Sequence, residues 1–301
     1  MEELLEELKK LNLKAASDEY IKSLIIRIGE IPIMRSEYHE GKIIYRARNN
    51  DNDDFTEVSD LSFKPQERNK TFQRASTPFK TMFYGGIVPQ EIEIDGEIED
   101  ERITTAFETV DFLRDLSVET GQQVLTYGVW RVKSTISTLS ILYSNPDDHK
   151  IGWQRKLGLW FNNSISEMPN SKGTIEGLQD YLAFQFSKEV KKGEDYYYKV
   201  SAYFAERACE MGVDGILYPS VKTGCTGLNI ALRPEVVNEK LELISVLKSK
   251  VYKNGDRVII NNLKKAYLEK GDEQFKLEEI ELGKYRDSEA NILRRLRLIQ
   301  S

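Results

Sequence analysis

FQRASTPFKTMFYGG, residues 72–86, followed after an acidic insert by TTAFETV at 104–110, is the stretch on which the fold turns. PFKTMFYGG has the composition of a short apolar strand that Gly85 and Gly86 bring to an end. From residue 104, TTAFETVDFLRDL carries a threonine cap and an apolar stripe of Phe107, Val110, Phe112 and Leu113, which predicts a helix. A cation, a phenol and a carboxylate (Arg74, Tyr84 and Glu108) thus stand at the ends of short elements. Polar groups placed so in an apolar setting are where sites are built. Each also has an ordinary reading: a surface ion pair for Arg74, a core aromatic for Tyr84, a solvated helix position for Glu108.

Working outward, Leu4, Leu5, Leu8 and Leu11 recur at helical spacing. Ser17 before Asp18 and Glu19 caps a second predicted helix, with a stripe of Ile21, Leu24, Ile25 and Ile28, running to about Gly29. IPI at 31–33 breaks it. IIYRAR at 43–48 alternates as a strand, and NNDNDD at 49–54 is a turn-forming loop lacking the glycine and distal glutamate of an EF-hand. EIEIDGEIE at 91–99 predicts a hairpin around Asp95-Gly96, its acids facing water. VLTYGVWRVKS and TISTLSILY, within 124–143, read as strands, and 175–191 and 195–211 as helices, the second capped by Gly212. DGILYPS at 214–220 and LNIAL at 228–232 are buried strands joined by a loop. Beyond Pro234, segments 241–253, 257–268 and 274–282 alternate as a β-meander, with a short helix from Ser288.

The chain has 301 residues, 40% hydrophobic and 31% charged, with a net charge of −6. That balance supports a real core and gives no basic footprint for nucleic acid. No apolar run approaches the roughly 20 residues that cross a bilayer, and MEELLEELKK lacks the apolar segment of a secretory signal. Cys209 and Cys225 form no disulfide framework, and neither His39 nor His149 has a partner at ligand spacing, so the expectation is a cytoplasmic protein without a metal.

Four short motifs, in order over residues 43–233, resemble the RES domain family, named for its arginine, glutamate and serine. They are Tyr45-Arg46, RASTPFKTMFY with Arg74 ten residues before Tyr84, TAFE with Glu108, and GILYPS followed by LNIAL, with Ser220 and Asn229. Ser76 stands where the family usually has asparagine, no glycine precedes Arg74, and the acidic insert lengthens the step from Tyr84 to Glu108. The resemblance implies an α+β fold with an ADP-ribosyltransferase-like mixed sheet. It divides the chain into N-terminal helices at 1–40, a catalytic domain at 41–239 and a C-terminal β-meander at 240–301.

RES proteins consume NAD by breaking the nicotinamide–ribose bond, pass ADP-ribose to water, phosphate or protein, and are commonly toxins paired with an antitoxin. The resemblance therefore implies NAD as substrate, an antitoxin as partner, Glu108, Tyr84 and Arg74 as catalytic residues, and Arg46, Arg74, Tyr84, Ser220 and Asn229 as NAD-binding residues. The residue types suit the reaction. Breaking an N-glycosidic bond develops positive charge on the ribose, which a carboxylate stabilises. Guanidinium groups bind pyrophosphate oxygens in bidentate fashion. No GxGxxG turn occurs, so a Rossmann mode of holding NAD is unsupported. The other readings are a protein ADP-ribosyltransferase and a catalytically silent binding module. The meander edges are an expected place for two chains to pair.

Overall fold

The helical and alternating periodicities resolve, in a computed structural model, into an α+β fold; the structure describes residues 2–28, 34–50, 53–87, 102–149, 152–169, 171–220 and 227–299. In chain order the elements are α1 (Glu2–Lys9), α2 (Asp18–Ile28), β1 (Met34–Tyr38), β2 (Ile43–Asn49), β3 (Phe83–Ile87), α3 (Arg102–Thr109), β4 (Thr120–Val132), β5 (Ile136–Ser140), α4 (Gly152–Ser166), α5 (Lys172–Ser187), α6 (Lys199–Glu210), β6 (Gly215–Pro219), β7 (Leu228–Leu232), α7 (Pro234–Lys240), β8 (Leu241–Asn254), β9 (Arg257–Tyr267), β10 (Glu278–Glu279) and α8 (Glu289–Arg295). The strands form one mixed sheet in the order β1-β5-β6-β7-β3-β2-β4-β8-β9-β10. Among the described residues only the β5–β6 pair is parallel. None of the described helices is long and apolar enough to cross a membrane.

Strand alternation sorts side chains onto two faces, because directly opposed residues share a face. On the first face Tyr84 stands in register with Ala231, Gly86 with Asn229, and Asn229 with Tyr218. Helices α1, α2, α5 and α6 cover this face over β5, β6 and β7 through Leu8, Ile21, Leu24, Leu182 and Val200. Further along, α3 covers it over β2, β4 and β8 through Ala106, Leu125, Tyr127 and Val251. The second face carries Ile44, Phe83, Trp130, Leu217 and Ile230, packed with Leu61 and with Val236 and Val237 of α7.

The N-terminal stripe behaves as its spacing dictates. Ser17 Oγ accepts the Tyr20 amide at 3.2 Å to start α2, and Ile21 and Leu24 are fully buried. Burying such a side chain contributes about 1.5–3 kcal/mol. These helices share a core with the sheet, and β8 pairs with β4 from Leu241 to Asn254. The sheet and its cores thus run through the divisions expected at residues 40 and 239.

Other expectations are corrected in detail. β3 continues through Gly85 and Gly86. These glycines admit neighbours: a Cβ on Gly85 would collide with Ile44 Cγ2, and one on Gly86 would lie 2.7 Å from Thr105 Cγ2. α3 begins at Arg102, before the expected threonine cap, and ends at Thr109. The helices α4 and α7 are additions to the elements expected from periodicity; Pro234 opens α7 at a position where proline is tolerated. The third meander segment contributes only Glu278 and Glu279. The free edge of β9 is taken up by the chain's own tail, with Ile280 N donating to Leu263 O at 2.9 Å and Asn261 Nδ2 to Asp287 O at 2.9 Å. The expected 91–99 hairpin, Cys225 and the 31–33 break lie outside the described residues, as does part of the 49–54 loop.

Candidate functional site

Glu108 sits in the last turn of α3, and the sheet beneath supplies its partners. Ser220 Oγ, one residue past β6, donates to Glu108 Oε1 at 2.7 Å, and Asn229 Nδ2 of β7 donates to the same oxygen at 2.8 Å. Both donors are buried, Ser220 completely. Hydrogen bonds to an ionised acceptor are short and strong. The glycines beside this contact let the helix approach: a Cβ on Gly227 would collide with Thr104 Oγ1. Ser220 N donates to Gly227 O at 2.9 Å, which closes the base of the loop between β6 and β7.

Tyr84 lies on the same face, two positions before Gly86. Its hydroxyl accepts the Ala75 amide at 3.0 Å and shares a 2.8 Å hydrogen bond with Ser76 Oγ, which itself accepts the Met82 amide at 3.0 Å. Burial pushes the phenol up to about 12, outweighing the opposing effects of Ser76, Ala75 and Arg74. Tyr84 is therefore a neutral phenol at physiological pH that pins the 75–76 turn. Ser76 is part of that pin.

Arg74 leads into the turn. Its Nη1 donates to Phe186 O and its Nη2 to Lys188 O at 2.9 Å, so the guanidinium caps the carboxyl end of α5. The same group lies over two rings, Tyr198 at 5.3 Å and Tyr218 at 5.8 Å from the centroids. Tyr218 is the side chain common to the cluster. Burial pushes its hydroxyl well above the ordinary tyrosine value; Arg74 opposes this, while Tyr84, Glu108 and Tyr198 add to it.

Arg74, Tyr84, Glu108, Ser220 and Asn229 thus gather on one face around Tyr218. Arg46 does not join them. It stands opposite Gly128, on the face that carries Ile44 and Trp130, while its neighbour Tyr45 stands opposite Gly86. The physical reason is the two-residue period of a strand, which puts Tyr45 and Arg46 on opposite faces. Arg46 is linked to them through the backbone, Nη1 donating to Tyr84 O at 2.6 Å. The sequence motifs do not single out Tyr218 or Tyr198. A signal for Tyr218 is nonetheless present: it lies two residues before Ser220, so alternation gives the two one face.

No protein-family model matches this chain, and no curated protein matches it.

Proposed function

We propose that the chain is an NAD-consuming enzyme of the RES type, with an ADP-ribosyltransferase-like fold, that breaks the nicotinamide–ribose bond. The observation that carries the reading is the carboxylate of Glu108, held through one oxygen by Ser220 and Asn229 beside the guanidinium of Arg74 and the rings of Tyr84 and Tyr218. In this reading Glu108 stabilises the oxocarbenium character of the ribose, directly through a ribose hydroxyl or by orienting the incoming nucleophile. Nicotinamide departs neutral and needs no general acid, which agrees with the high pKa of Tyr84 and Tyr218. Arg74 uses two donor positions on main-chain carbonyls; in this reading its remaining N–H groups bind the pyrophosphate. Ser220 and Asn229 act by holding the carboxylate. A toxin acting in the cytoplasm and neutralised by an antitoxin belongs to the same reading.

A second reading, a module that binds a ligand without turning it over, is favoured by one observation: the Arg74 guanidinium and the Tyr84 hydroxyl are both engaged inside the fold. Incubating the purified protein with NAD, with and without phosphate, separates the cases. Release of nicotinamide with ADP-ribose or its phosphorylated form is the expected result. Label carried into protein identifies a protein ADP-ribosyltransferase, and NAD that stays intact overturns the enzyme reading.

A further inference from the structure

The second face of the sheet, turned away from Glu108, holds a groove of about 1580 Å³ lined by Arg46, Trp130, Phe55, Phe63 and the loop around Gly271. At its floor two side chains meet over a glycine. Arg46 is in register with Gly128, and a Cβ on Gly128 would lie 2.8 Å from Trp130 Nε1, so the indole edge folds over the bare glycine beside Arg46. Both rest on Phe83: the guanidinium 5.1 Å from its centroid, the indole edge-on at 5.5 Å.

Both also carry a buried donor with no acceptor, Arg46 Nε and Trp130 Nε1. Trp130 is only 4% exposed, so its N–H is withdrawn from bulk water. An unmet buried donor is costly, and more so when it is charged. No carboxylate among the described residues pairs with Arg46; its charged neighbour is Arg48, of the same sign. Arg48 is itself directed elsewhere, to Asp60 O and over the Phe55 ring at 5.4 Å. Burial and Arg48 lower the Arg46 guanidinium to about 10, which leaves it cationic at neutral pH. Two of the acids lining the groove have other partners: Asp60 accepts the Thr56 and Glu57 amides, and Glu242 pairs with Arg131 at 2.7 Å. Arg46 as a whole is half-buried, but a cation whose Nε is buried without an anion is a costly arrangement in a folded protein.

We propose that this groove is a second binding site, for a small ligand with an oxyanion on an apolar body. The phosphate or carboxylate oxygens accept from Arg46 Nε and Trp130 Nε1, and the body lies against Phe55 and Phe63. The two donors lie on the face of the sheet turned away from Glu108, although the groove reaches Tyr84, whose carbonyl accepts Arg46 Nη1.

Calorimetric titration of the full chain with phenyl phosphate and with benzoate tests this at low ionic strength. Saturable binding of either is the expected result, and the tighter of the two identifies a phosphorylated or a carboxylate ligand. Trp130→Phe keeps the ring and removes the N–H, and weakens binding about tenfold. Arg46→Met removes binding. Glu108→Gln, altered on the other face only, binds the probes like the wild type. Absence of saturation with both probes, or a Trp130→Phe protein that binds as tightly as the wild type, overturns the site. Weakening by Glu108→Gln would assign the anion to the other face and overturn it too. Trp130→Phe decides the matter should Arg46→Met fail to fold.

Discussion

Ser220 Oγ and Asn229 Nδ2 both address Oε1 of Glu108, and the amide oxygen of a glutamine can accept from the same two donors. Glu108→Gln therefore removes charge while keeping the hydrogen bonds that tie α3 to the sheet. Nicotinamide release should fall by about 100-fold, equivalent to about 2.7 kcal/mol of transition-state stabilisation. Thermal unfolding, followed by circular dichroism, should stay within about 4 °C of the wild type, the shift expected of 1 kcal/mol or less. Equal turnover in the two proteins would remove the carboxylate from the mechanism. At this scale the sequence is readable where a polar residue stands at an element end, as with Glu108 and Ser220. It misleads for Arg46, whose pairing with Tyr45 in the motif conceals that adjacent strand residues face apart. Tyr218 is hard to read because a tyrosine inside an apolar strand looks like core, and the charged groups it faces, Arg74 and Glu108, are distant in the chain.

The meeting of α3 with β3 depends on what is missing from Gly86. A methyl there would lie 2.7 Å from Thr105 Cγ2, closer than real contacts allow. Gly86→Ala should destabilise the protein by about 1–3 kcal/mol through overpacking, measured by urea denaturation. Gly173→Ala, in the first turn of α5 with nothing within 4 Å of its Cβ, is the control and should be neutral or stabilising by up to about 1 kcal/mol. Similar losses in both would show that the helix does not press on the strand. The elements most legible in the sequence are those with a clean stripe, α1 and α2. α4 is obscured because Leu159 and Trp160 are exposed while Phe161 and Ile165 are buried, which blurs the helical period. α7 spans seven residues, too few for periodicity to declare itself.

Across the whole molecule, the N-terminal helices belong to the core that carries the candidate site. Leu8, Ile21, Leu24 and Ile28 are almost wholly buried against it. At about 1.5–3 kcal/mol each, their combined loss is comparable to the roughly 5–15 kcal/mol that holds a typical domain together. A chain beginning at residue 34 should accordingly be insoluble or lack a cooperative melting transition. A truncated protein that melts cooperatively, near the temperature of the full chain, would show the helices to be an accessory layer. Local patterns announce α1 and α2 but not their destination, because the contacts that receive them come from β5, β6 and α6, more than a hundred residues later. The same distance hides the continuity of the sheet, in which β4 pairs with β8.

The sheet order has a consequence for how the protein is made. β7 lies between β3 and β6, and Asn229 is one of the groups that grip Glu108. While the ribosome is still working on the first two hundred residues, the central strand of the site has not been synthesised, although Arg74, Tyr84 and Glu108 have already emerged. Pairing across such a span is slow, since the intervening segment must first be brought back on itself. Nascent and prematurely released fragments consequently carry the carboxylate without its grip, and a cell translating this message meets the assembled pocket only in nearly finished copies.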